Sequence, residues 1–290
     1  MEEADIKLKS GIVLEGGALR SIFSAGVLDC FLEKDFHIPN IVTLSAGAYA
    51  ALNYVSKQKG RIIKTNVEPL KSKSYVGLKT LLRTGSLFDM DYLFDKVPNE
   101  LVPFDYERFF ASDQHLWMHA TNCQTGKAIY YDTFENKERL MEICRASNSM
   151  PFIAPIVKID EMPLLDGGMC DAIPIEKAME LGIEKAVVVF TRNKGYRKKT
   201  SRFYMFWMRL IYRKYPELIQ IVQNRADHYN ATLEIIERLE REKRVLVLRP
   251  ELPAISNRET NTDKLLKFYD HGYQVAQSRF HEIKQFLADT

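Results

Sequence analysis

Ser45 stands where an apolar run, Ile41-Val42-Thr43-Leu44, meets the small residues Ala46-Gly47-Ala48. The pattern reads as a strand turning sharply into a helix, with a hydroxyl at the corner beside the N–H groups of a helix N-terminus. A second apolar run, Ile12-Val13-Leu14, ends in Glu15-Gly16-Gly17-Ala18-Leu19-Arg20-Ser21 before another helix opens. Consecutive glycines let a backbone fold tightly and bring its N–H groups close to an anion. Far downstream, Leu164-Leu165-Asp166-Gly167-Gly168 puts a carboxylate at the end of a short apolar segment. A serine hydroxyl is too weak an acid to attack an ester unaided; it needs a base and a place for the oxyanion. In this order the three segments offer a nucleophile (Ser45), an oxyanion loop (Gly16, Gly17, Ala18) and a base (Asp166).

Each segment also has an ordinary reading. Serine often caps a helix, paired glycines make a strand-to-helix turn, and Asp-Gly-Gly usually makes a turn. Arg20 either orients the loop or a substrate head, or is a surface arginine at the start of a helix. A dinucleotide fingerprint, G-x-G-x-x-G, fits poorly: only Gly16 matches, since Ala18 and Ser21 hold the other glycine positions, and the second strand ends at Ser45 rather than at an acidic residue. A Ser-His-Asp triad is the commoner solution to the same chemistry. Of His37, His115, His119, His228, His271 and His281, however, none is expected in a loop after a late strand. His115 and His119 lack a Cys/Asp/Glu cluster beside them, so no metal and no cofactor is expected.

The elements that must hold these residues follow from periodicity. Residues 11–60 read as strand, helix, strand, helix, with helical spacing over Ile22 to Leu32 and again over Ala46 to Val55. Further strands are expected at Leu116–Thr121, Ala128–Tyr131, Val157–Ile159, Ala186–Phe190 and Val245–Leu248. Alternating strands and helices imply a mostly parallel, doubly wound α/β sheet covered on both faces, with ligands at the carboxyl ends of its strands. Residues 61–110 are mixed, with short helices expected near Leu78–Leu82 and Asp91–Val97, forming either a lid or plain connecting structure. Helical periods resume over Glu217–Arg241 and Asp263–Ala288.

These residues also carry a resemblance. The succession Gly-Gly-x-x-Arg, then x-Ser-x-Gly at a strand-to-helix corner, then Asp-Gly-Gly resembles the patatin-like phospholipases. The bacterial branch is the nearest likeness, through Leu14-Glu15-Gly16-Gly17, Cys144-Arg145-Ala146-Ser147 ahead of Pro151, and Thr191-Arg192-Asn193-Lys194-Gly195-Tyr196. The resemblance implies a catalytic domain over 9–195 and a helical C-terminal extension over 196–290 packed on it. It further implies a Ser45–Asp166 dyad acting on acyl esters, those of lipids foremost, through an acyl-enzyme, without histidine or metal, and an oxyanion site that includes Arg20. Three positions depart from the family pattern: Thr43 replaces the first glycine of Gly-x-Ser-x-Gly, and Ala18 and Ser21 replace glycines of the oxyanion motif. The alternative is therefore a lipid- or acyl-binding protein of the same fold with weakened catalysis.

Gross composition sets the remaining bounds. The chain has 290 residues, 46% of them hydrophobic, and 41 basic against 38 acidic side chains, so bulk charge favours no partner. Four scattered cysteines without a C-x-x-C pair suit reduced core positions. The first residues lack the apolar stretch of a signal peptide, and no run reaches the length of a membrane span, so a cytoplasmic protein is expected. Locally the balance shifts: from Lys185 to Pro216 there is no acidic residue, and cations interleave with Phe203-Tyr204-Met205-Phe206-Trp207-Met208. The segment 196–215 reads as a contact for the anionic inner face of a membrane, as a nucleic-acid surface (the least expected), or as an amphipathic helix docking its aromatic face on the core.

Overall fold

The computed structural model describes residues 9–72, 89–257 and 259–288. Eight strands form one mixed sheet: β1 (Ser10–Leu14), β2 (Asn40–Leu44), β3 (His115–Asn122), β4 (Ala128–Tyr131), β5 (Val157–Ile159), β6 (Met162–Asp166), β7 (Lys185–Val189) and β8 (Val245–Leu248). Their order is β5-β6-β3-β2-β1-β7-β8, with β4 also paired to β3. From β3 to β8 the strands run parallel, whereas β4, β5 and β6 pair antiparallel. The fold is thus α/β, a mixed sheet flanked by helices, with a helical C-terminal region.

The central strands are apolar on both faces because both faces are covered. Ile12, Leu14, Ile41, Val187 and Val189 point into one layer, whose helices are α1 (Ile22–Glu33), α2 (Ser45–Val55), α3 (Lys137–Ser147), α7 (Thr262–Ser278) and α8 (Phe280–Ala288). Val13, Val42, Ala186 and Val188 alternate into the other layer, under α4 (Ile175–Glu180) and α6 (Pro216–Arg241). Helix α5 (Arg202–Ile211) joins the start of α6 in a smaller cluster over Leu165 and Met169.

Several expectations are adjusted. Helix α3 carries no expected counterpart; Asn136 caps it, its side chain accepting the Arg139 N–H at 2.8 Å. The single helix expected over Asp263–Ala288 breaks at Arg279, whose guanidinium turns to the Val247 carbonyl at 2.7 Å and to Glu282. The helix expected at Asp91–Val97 is a wider π-type helix, Tyr92–Leu101, with Pro98 inside it. The helix expected at Leu78–Leu82 lies outside the described residues. All four cysteines are buried and unpaired. Among the described residues no helix is long and apolar enough to cross a membrane.

Candidate active site

Strand β3 brings the two distant motifs together. It pairs with β2 as far as Leu44↔His119 and with β6 at Ala120↔Asp166. The end of β2 and the end of β6 therefore meet on consecutive residues of β3, and the residue after Leu44 is Ser45. There the Ser45 hydroxyl donates to Asp166 Oδ2 at 2.6 Å, and both residues are buried.

The corner itself is strained. Ser45 holds φ of +53°, a left-handed conformation that costs a non-glycine residue about 1–3 kcal/mol. Its backbone is pinned by Ser147 at the end of α3: the Ser45 N–H donates to Ser147 Oγ at 2.8 Å, and that hydroxyl donates onward to the His119 carbonyl at 2.7 Å. Ser147 belongs to a motif quoted only for its family likeness; its role as a brace came from no reading of the sequence. Thr43, one of the departures from the family pattern, is fully buried and leans on the turn from below, with Oγ1 3.4 Å from the Leu14 carbonyl.

Asp166 accepts the Gly168 N–H at 2.8 Å on its other oxygen, opening a short 3-10 turn at Gly167–Met169. Its backbone is held by the Ser149 carbonyl and by Thr121 Oγ1. Burial raises its pKa above the usual aspartate range; the Ser45 and Gly168 hydrogen bonds and the charges of Arg225 and His119 oppose that shift. A carboxylate made more basic by desolvation, already bonded to a hydroxyl, is equipped to take that proton.

The glycine-rich loop divides in two. The Gly16 N–H donates to the Ala172 carbonyl at 3.3 Å, and a side chain on Gly16 would begin 3.3 Å from Ser45 Cβ, so this residue sets how near the loop comes. The Gly17 and Ala18 amides, at the start of the 3-10 turn Ala18–Ser21, find no acceptor among the described residues. Ala18 takes φ of +49°, where the family pattern has glycine. Glu15, just before the loop, is buried and ties it down: it accepts from Thr191 N at 2.5 Å, Thr191 Oγ1 at 2.9 Å and the Tyr229 hydroxyl of α6 at 2.7 Å. Arg20 has Glu15, Arg192, Tyr196 and Tyr229 around it; burial first, then Arg192, lowers its pKa to about 10.

No histidine is hydrogen-bonded to Ser45 or Asp166 among the described residues. His119 comes nearest, buried on β3, but its Nε2 faces the Asp171 carbonyl at 3.0 Å and its ring lies against Tyr130 at 4.7 Å. Beside Ser45 opens a cavity of about 130 Å³, lined largely by apolar groups such as Leu19, Tyr49, Leu93, Phe94 and Ile153. Next to it, through the shared residues Met150, Ile153 and Asn257, lies a larger cavity of about 720 Å³ between α5 and α6.

The reading of 196–215 as a helix docking its aromatic face holds only in part: Tyr204 and Tyr212 pack edge-on against Phe152, and Tyr212 is buried. Met205 and Met208 dock, but Phe203 is 74% exposed, Phe206 60%, Leu210 54% and Ile211 56%. The ten-residue helix has more apolar faces than the core has room for, and α6 already covers that side of the sheet.

Three comparisons place the chain among known proteins. The uncharacterized protein YjjU of Escherichia coli (strain K12) is 26% identical over 257 residues, covering 84% of this chain and 69% of the relative. Among solved structures, VipD from Legionella pneumophila aligns with a TM-score of 0.48 at 12% identity, over 98% of this chain and 67% of that one. A domain of unknown function, DUF6363, matches residues 215–288, and the patatin-like phospholipase model matches residues 12–179. With more than half of its length under that match, the chain belongs to the patatin-like phospholipase family.

Proposed function

We propose that the protein hydrolyses carboxylic esters of lipids through an acyl-enzyme on Ser45, with Asp166 as the base. Support comes above all from the 2.6 Å hydrogen bond between the Ser45 hydroxyl and Asp166, set at a strained strand-to-helix corner. On attack, Ser45 Oγ bonds to the ester carbonyl carbon while its proton passes to Asp166. The tetrahedral oxyanion takes the Gly17 and Ala18 amides, joined by the amide of Ala46 in the first turn of α2. Asp166 then returns the proton to the departing alcohol, leaving the acyl group on Ser45. A water gives its proton to the same carboxylate and attacks the acyl carbon; as the bond to Ser45 breaks, Asp166 passes that proton to Ser45 Oγ, freeing the acid and restoring the enzyme. The apolar cavity beside Ser45 takes the acyl chain.

Access to lipid is through α5. Its exposed Phe203, Phe206, Leu210 and Ile211 and the cations around them suit the surface of an anionic membrane, rings and aliphatic chains in the interface and cations at the head groups. Vesicles rich in anionic lipid should sediment the protein, and Phe206→Asp with Ile211→Asp should weaken that binding about tenfold or more, two buried apolar side chains being removed.

A fluorophosphonate probe tests the enzyme reading directly. It should label the wild-type protein and leave Ser45→Ala unlabelled. Absence of labelling in the wild type would make the protein an acyl-binding member of the fold.

A further inference from the structure

Four cations converge behind the oxyanion loop: Arg20 from the loop's own turn, Arg192 after β7, Lys198 ahead of α5, and Arg225 of α6. Lys198 Nζ lies 4.3 Å from the centre of the Tyr229 ring, and the Arg192 guanidinium lies 4.2 Å from that of Tyr196. The two tyrosines meet edge to face at 5.9 Å. Arg225 reaches the active site itself, its Nη2 standing 3.4 Å from where a side chain on Gly168 would begin, a point only 3.1 Å from Asp166 Oδ1. Lys198 and Arg225 line the larger cavity, the one that opens into the cavity of Ser45.

None of the four forms an ion pair or donates a side-chain hydrogen bond among the described residues, and the Nε atoms of Arg20 and Arg225 are buried without an acceptor. The carboxylates near them are already engaged: Glu15 by Thr191 and Tyr229, Asp166 by Ser45 and Gly168, and Glu237, beside Arg192, by Arg197. Clustered like charges without acceptors cost free energy that an anionic ligand recovers. The crowding registers at Lys198, where burial and then the neighbouring arginines lower the pKa to about 7.

Resting on the esterase reading, we propose that Lys198 and Arg225, backed by Arg20 and Arg192, bind the phosphate of the substrate's head group and hold its ester at Ser45. The two that line the cavity, Lys198 and Arg225, lie beyond residues 12–179 and in the C-terminal region, so that region selects the substrate that the catalytic motif cleaves. Four cations among carboxylates already occupied favour a phosphomonoester, which carries a charge of about −1.5 to −2 at neutral pH, over a zwitterionic head group. Lipid-borne and free phosphate share this chemistry and are separated by the test.

Calorimetry on Ser45→Ala, with dihexanoyl phosphatidic acid, dihexanoyl phosphatidylcholine and inorganic phosphate as probes, reads binding without turnover. Phosphatidic acid should bind at least about tenfold more tightly than either other probe, and Lys198→Gln with Arg225→Gln should remove that advantage. Equal affinity for the two lipids overturns the proposal, as does inorganic phosphate binding as tightly as phosphatidic acid. Because the head-group comparison is made on Ser45→Ala alone, it stands even if the double variant does not fold. Failure of the wild type to react with fluorophosphonate removes the esterase reading while leaving this binding preference intact, so the two can fail separately.

Discussion

At the scale of single residues, Asp166 carries two opposed demands. Burial raises its pKa, which strengthens it as a base and also makes the folded state prefer its protonated form. A carboxyl with a folded pKa above its unfolded value of about 4 contributes stability below pH 4, and that contribution is lost as pH rises through the folded value. Asp166→Asn removes the ionisation while keeping an oxygen for the Gly168 N–H. Its melting temperature should exceed that of the wild type at pH 8, with the gap closing toward pH 4. Ester hydrolysis by the same variant should fall by about a thousandfold, the usual worth of a positioned base. In the wild type, kcat/KM should fall on the acid side with a midpoint above the ordinary aspartate value. A variant that loses activity without gaining stability at high pH would argue against an ionised, buried base. Ser45, Asp166 and the glycine loop were legible in the sequence because each sits inside a short motif. Ser147 and Glu15 were not: what they do depends on partners 102 and 176 positions away, and no local pattern announces contacts of that kind.

At the scale of elements, the corner between β2 and α2 shows how a departure from a family pattern is accommodated. A side chain on Gly47 would begin 2.7 Å from Thr43 Oγ1, 3.2 Å from the Glu15 carbonyl and 3.3 Å from Leu14 Cβ. Thr43 thus fills the space below the turn and leaves Gly47 none. Gly47→Ala should destabilise the protein by about 2 kcal/mol through overpacking, with loss of esterase activity as Ser45 is displaced. Thr43→Gly alone costs about 1 kcal/mol as a strand glycine. In the double variant the worst clash is gone, so urea titrations should show the two costs failing to add, with a coupling of about 1 kcal/mol or more. Additive costs would mean that the Glu15 carbonyl, not Thr43, fixes the turn. The strands read well from sequence, β4, β5 and β8 to the residue, because runs this short and rich in β-branched or aromatic residues favour strand over helix. Helix α3 went unread, although Asn136 followed by Leu140, Met141, Ile143 and Cys144 is a cap with a helical apolar stripe. The exposed face of α5 was unreadable for another reason: an amphipathic pattern says which face is apolar, not whether the core has a place for it.

At the scale of the whole molecule, the C-terminal region is part of the sheet and of the core. Strand β8 extends the sheet past β7, Tyr229 of α6 hydrogen-bonds to Glu15 below the glycine-rich loop, and α7 packs against α1. The α1–α7 contact is a crossing of backbones. A side chain on Gly272 would begin 2.1 Å from the Phe23 carbonyl, and one on Gly26 2.1 Å from the Tyr269 carbonyl, so each helix presents a glycine where the other passes. Around the crossing, Phe23 packs on Phe268, and the Tyr269 hydroxyl donates to the buried Asp29 at 2.7 Å. Backbone cannot give way as a flexible side chain can, so Gly272→Ala should push α7 off α1 and cost about 3 kcal/mol, the upper end for an added methyl in a packed core. A surface control on the same helix, Lys267→Ala, should stay within about 0.5 kcal/mol. A chain ending at residue 195 loses β8, α6 and α7 together, leaving one edge of β7 and the apolar face of α1 uncovered; it should be insoluble or bind a hydrophobic dye. If that shorter chain were instead monomeric and cooperatively folded, with fluorophosphonate labelling retained, the C-terminal region would be an accessory to a self-sufficient catalytic unit. Its strand in the sheet and its tyrosine beneath the glycine-rich loop argue that residues 12–179 and the C-terminal residues fold as one.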